Sequence, residues 1–163
     1  MKTLVAGVGN IFLGDDAFGC EVVRRMDARP VPPDVQLTDF GIRGVHLAYQ
    51  LLEGYDLLVL VDAAPRGREP GTVSLLEVDL DRIEKTDGPL VDAHGMAPVS
   101  VLTMLASLGG RVRRVLVVAC EPDSTAPGIG LSPVVEAALD PAVTLIEQII
   151  TGVHESVREV SSR

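Results

Sequence analysis

The chain has 163 residues, 47% hydrophobic and 23% charged, which fits one soluble globular domain and excludes a disordered chain. Fourteen Lys and Arg against 23 Asp and Glu leave a net charge of −9, which would be repelled by a phosphate backbone and lacks the basic footprint of a nucleic-acid binder. Aromatics are 3% with no Trp, which argues against a surface for stacking bases.

Leu4–Val8 is a short apolar run stopped by Gly9-Asn10 and reads as a buried strand. Residues 16–27 place Phe18, Val22, Val23 and Met26 on one stripe, a helical spacing closed by Pro30, Pro32 and Pro33. Val35–Asp39 alternates as a second strand. Val45–Leu52 carries a helical pattern and Gly54 stops it. Leu57–Val61 is five apolar residues ended by Asp62, as in a strand covered on both faces. Thr72–Val78 is the fourth strand. The link over 63–71 is nine residues, short for a parallel crossover, so this strand is expected to run antiparallel to a neighbour. A helix over about 97–108 and the strand Arg114–Cys120 follow. Ser132-Pro133 then opens a last helix that runs to about 151. Residues 152–163 are polar and are expected to form a frayed tail.

This order predicts one three-layer α/β/α domain over 1–151, with a twisted, mostly parallel five-stranded sheet and one antiparallel strand. In such sheets ligands bind beyond the carboxyl ends of the strands, where the strand order reverses. Cys20 and Cys120 stand a hundred residues apart and neither belongs to a C-x-x-C pair, so a disulfide framework or zinc ribbon is not indicated. The apolar neighbours of Cys120 mark a buried thiol, and a reducing, cytoplasmic setting is the simplest reading. No apolar run approaches the roughly 18 residues of a membrane span. The opening Lys2 and apolar stretch could begin a signal peptide, but Asn10 and Asp15-Asp16 follow at once and fit a strand entering a turn.

The carboxyl ends of the predicted strands hold the chemistry. Gly7 and Gly9 begin a dinucleotide fingerprint, but its third glycine would fall at Phe12. Asp15 and Asp16 would repel a pyrophosphate at the following helix, so nucleotide binding is disfavoured. Both acids can cap that helix, worth about 1 kcal/mol, but one suffices and the second is free for another task. Asp62 ends the most buried strand and faces a crevice, unless it serves as a turn residue before Pro65. Asp39 opens the loop Asp39-Phe-Gly-Ile-Arg-Gly44, where capping the next helix is the plain role. His94 lies in a loop before a helix. Alone it reads as a surface histidine, but with acids at two strand ends it could complete a small, weak site for a divalent first-row ion. His46 and His154 carry no assigned role. The chain shows no G-x-S-x-G elbow, no H-E-x-x-H and no obvious Cys–His pair.

Five segments in this order resemble the hydrogenase maturation endopeptidases over nearly the whole chain. They are Gly7-x-Gly-Asn10 with Asp15-Asp16 and Gly19, the Asp39-x-Gly41 loop, Val61-Asp62-Ala63, His94-Gly95 and Gly130-Leu-Ser-Pro133. The resemblance implies an aspartic-type, metal-assisted peptidase. It would cleave a C-terminal extension from the precursor of a [NiFe] hydrogenase large subunit, after nickel insertion. It also implies that Asp16, Asp62 and His94 are catalytic and contact nickel supplied by the substrate, with no organic cofactor. The family commonly has Glu or Asp where Asp16 stands and frequently Gly where Ala17 stands. Its second loop usually reads Asp-Gly/Cys-Gly-Thr, against Asp39-Phe-Gly-Ile here, which leaves the choice of substrate open. Asp39, Gly41 and Arg43 are expected to bind substrate, with Arg43 meeting a carbonyl or carboxylate unless it is a solvated loop residue. The implied partner is the large-subunit precursor, with neither nucleic acid nor membrane. The alternative is a nickel sensor or chaperone that cleaves nothing.

Overall fold

The computed structural model of the chain describes residues 1–84 and 98–152. His94 and His154, and the expected tail beyond Gly152, lie outside the described residues. The elements are β1 (Thr3–Val8), a 3-10 turn (Gly14–Ala17), α1 (Phe18–Met26), β2 (Val35–Gly41), α2 (Gly44–Leu51), β3 (Leu57–Ala63) and β4 (Val73–Glu77). They continue with α3 (Leu80–Glu84), α4 (Pro98–Ser107), β5 (Arg114–Cys120), α5 (Pro133–Glu136) and α6 (Leu139–Ile150). The strands form one sheet in the order β2-β1-β3-β5-β4, parallel except for the β4–β5 pair.

Each central strand is buried on both faces, and the alternation sorts its side chains into two cores. Val5, Val59, Val61, Leu116 and Val118 pack with α1, α5 and α6 on one face. Leu4, Ala6, Leu58, Leu60, Val115 and Val117 pack with α2 and α4 on the other. The three-layer architecture and the single antiparallel strand are as the sequence predicts. The antiparallel turn follows from chain length. Residues 64–72 pass over the carboxyl end of β5, where Ala64 N–H donates to Cys120 O and Glu121 N–H to Thr72 O. They are too few to return to the amino edge.

Three details differ from the sequence reading. The chain enters α1 through a separate 3-10 turn rather than starting the helix at 16. The short α3 was not expected. The expected single helix after Ser132 is broken into α5 and α6. The break has a local cause: Pro141 has no N–H, and in a continuous helix its ring would collide with the carbonyl of Ala137. Among the described residues no helix is long and apolar enough to cross a membrane.

The strand order creates the site. From β1 the chain moves outward over α1 to β2, then back over α2 on the opposite face to β3. The direction of winding therefore reverses between β1 and β3, and a crevice opens at their carboxyl ends.

Candidate functional site

Two close backbone approaches bring the acids to this crevice. Gly19 in α1 lies flat against the ends of both inner strands, and a Cβ there would collide with the carbonyl oxygens of Val61 and Val8. Gly9, at φ +138°, is pressed against the backbone of Asp16 in the same way. Glycine is required at both positions. Asp16 thus precedes Gly19 by one turn, and Asp62 follows the strand residue that Gly19 touches. The 3-10 turn packs directly on β3. Asp62 lies inside β3, opposite Ala119, rather than just beyond the strand as the apolar run suggested.

The adjacent acids have different surroundings. Asp16 is half-buried and its Oδ2 accepts the Asn10 N–H at 2.8 Å, which fixes the carboxylate against the β1 turn. Asp15 points the other way and is 1% exposed. Its oxygens accept four hydrogen bonds: Asp123 N–H (2.8 Å), Ser124 N–H (3.0 Å), Ser132 N–H (2.7 Å) and Ser132 Oγ (2.8 Å). Burial pushes this carboxyl up, but the donors outweigh it and hold it below the usual carboxylate range. Asp15 therefore ties both ends of the 123–132 loop to the turn that carries Asp16. The acid pair was visible in the sequence, but which member was structural was not.

The loop after β2 forms another edge of the crevice. The Gly41 N–H donates to Asp39 Oδ1 at 2.9 Å, and Gly41 takes φ +56°. The Arg43 guanidinium donates to Phe40 O through Nε (3.1 Å) and to Asp39 O through Nη2 (2.8 Å). Arg43, expected to reach for substrate, caps the carbonyls at the end of β2 while remaining exposed. A groove of about 330 Å³ runs between this loop and the β1 turn. Across the sheet, buried Glu121 escaped the sequence reading; it accepts the Arg66 N–H at 2.7 Å and holds the loop after β3.

Both cysteines are free and buried. Burial, followed by the nearby Asp39 carboxylate, pushes the Cys20 thiol up to about 12. Burial, Asp15 and Glu121 push Cys120 to about 11. Neither is a thiolate at neutral pH, so neither is an activated nucleophile. Among the described residues no three His, Cys, Asp or Glu side chains group closely enough to hold a metal ion. His94, the third residue of the expected set, lies outside them.

Asp16 is thus fixed on a glycine-packed turn beside an inner strand that carries Asp62. The sequence profile of the hydrogenase maturation proteases matches residues 20–149. The chain belongs to the hydrogenase maturation protease family. It is 32% identical to the hydrogenase 2 maturation protease of Escherichia coli, over 100% of this chain and 97% of that protein. Its fold matches the solved hydrogenase maturating endopeptidase HybD from E. coli with a TM-score of 0.77 at 32% identity, covering 96% of this chain and 94% of that one. It also matches the [NiFe] hydrogenase maturation protease HycI from Thermococcus kodakarensis, with a TM-score of 0.73 at 27% identity over 92% of each chain. By family the chain is an endopeptidase, and it carries Asp16 and Asp62 at the β1–β3 switch.

Proposed function

We propose that the chain is a nickel-dependent endopeptidase that removes the C-terminal extension of a [NiFe] hydrogenase large-subunit precursor, working in the cytoplasm. The observation that carries the reading is the division of labour in the acid pair. Asp15 is consumed by the loop, while Asp16 is half-buried on a turn that packs against β3, the strand that carries Asp62 near its carboxyl end. The Thermococcus relative is a [NiFe] hydrogenase maturation protease, which supports the same substrate class. Two free, buried thiols fit a reducing compartment.

In this reading Asp16, Asp62 and His94 offer oxygen and nitrogen ligands without a thiolate, a weak set that engages nickel presented by the substrate. Nickel so presented would polarise the scissile carbonyl or activate water. A carboxylate at the crevice can take the proton of the attacking water and return it to the leaving amine. Asn10 N–H keeps the Asp16 carboxylate oriented for either task. Asp39, Gly41 and the cap formed by Arg43 shape the edge along which the extension lies.

The test is replacement of each proposed residue. Asp16→Ala, Asp62→Ala and His94→Ala should each abolish processing of nickel-loaded precursor while keeping wild-type circular dichroism and melting. Normal processing by all three variants would contradict the assignment. A wild-type protein that binds loaded precursor without shortening it would identify a chaperone instead.

A further inference from the structure

A second cavity, of about 380 Å³, adjoins the groove at the β2 loop and shares Ile11 and Arg24 with it. Buried Ala17, the residue after Asp16, and Leu139 form its floor, and Leu131 stands beside them. Ile11 and Ile129, 40% and 85% exposed, stand at its mouth. Its volume is that of a small-ligand or side-chain pocket. The arginines on its rim are paired, Arg24 with Glu21 at 3.1 Å and Arg25 with Asp140 at 2.8 Å, and exposed Glu136 joins them, so a charged rim surrounds the apolar floor of this trough.

Ile129 is held in the open by its neighbours. Gly128 is pinned to the β1 turn: Gly14 N–H donates to Gly128 O at 2.9 Å and Gly128 N–H to Phe12 O at 2.8 Å. Ser132 is pinned by Asp15. Only residues 129–131 span the gap, and Ile129 projects from it between two glycines. Phe12 and Ile42, 62% and 68% exposed, continue the apolar strip along the crevice from two other loops. Large apolar side chains gathered from three loops at one end of the sheet mark a contact surface. The four side chains expose on the order of 400 Å², well short of the roughly 800 Å² per partner of a stable dimer. A strip this narrow suits one extended polypeptide.

We infer that the trough is a substrate subsite, which takes one large apolar side chain of the precursor polypeptide beside the bond presented to Asp16, with Ile129 closing over it. The inference rests on the endopeptidase reading and adds what the enzyme recognises besides the metal. Ile129 is a specificity residue and takes no part in the chemistry.

Steady-state cleavage of nickel-loaded precursor tests it, together with melting of each variant. Ile129→Arg should raise KM about tenfold or more, with kcat within about twofold. Ile129→Leu should restore the wild-type KM. Leu108→Arg, at the end of the helix leading to the amino edge of β5, should change neither. Replacing the large apolar residues flanking the cut by Asp, one at a time, should reveal one position whose loss of cleavage is rescued by Ile129→Arg. Wild-type cleavage with an unchanged KM for Ile129→Arg would overturn the subsite while sparing the proposed function. A wild-type dimer in sedimentation that Ile129→Arg dissolves would assign the strip to self-association and overturn the subsite as well. Failure of the wild-type protein to cut any loaded precursor would overturn the endopeptidase reading, and the subsite with it.

Discussion

Asp15 and Asp16 occupy one short turn and do different work, and the reason lies in turn geometry. A 3-10 turn advances three residues per revolution, so adjacent side chains point about 120° apart. One carboxylate enters the protein and the other faces the crevice. The sequence shows two acids where capping needs one, but the partners of Asp15 lie more than a hundred residues away and leave no local signal. The linkage follows from the lowered pKa of Asp15. Its stabilisation is fully present above the ordinary carboxylate range and is lost as pH falls through the depressed native value. Asp15→Asn would set an amide N–H₂ against donors that now find an acceptor, at a cost of about 2–4 kcal/mol. We expect a lower melting temperature at pH 7 and a shallower acid limb below about pH 4 than in wild type, read from melting across a pH series. An acid limb as steep as wild type would remove Asp15 from that role.

At the scale of elements, the strands were legible because burial on both faces leaves unbroken apolar runs such as Leu57–Val61. The antiparallel β4 was legible from the length of one link. The break at Pro141 was written in the sequence but masked by the apolar stripe on either side of it. The arrival of α1 against β1 and β3 was not legible: Gly19 reads as one glycine in a helix, and its reason is the backbone of two strands. This contact sets the turn that carries Asp16 against β3, the strand that carries Asp62. Gly19→Ala should push α1 off the strand ends, at about 1–3 kcal/mol by overpacking. Processing should fall further than stability does, because the two carboxylates separate. The comparison is between the denaturant midpoint and the cleavage rate at a temperature where the variant stays folded. A wild-type midpoint and rate would show that the contact is slack.

At the scale of the whole molecule, the described residues leave an edge open at the carboxyl ends of β1 and β3. The reversal of strand order opens it, the loops after β1, β2 and β5 rim it with apolar side chains, and Asp16 and Asp62 stand at this end of the sheet in a chain of net charge −9. The field of such a surface favours a cation or a basic partner face at that edge. On the account proposed, the metal that completes the site arrives with the polypeptide to be cut, so recognition and chemistry share one signal. The most direct measurement compares cleavage of large-subunit precursor prepared with and without nickel by the wild-type protein. The account predicts that loaded precursor is shortened while nickel-free precursor stays uncut, even when free nickel is supplied to the enzyme beforehand. Equal cutting of the two precursors would contradict it.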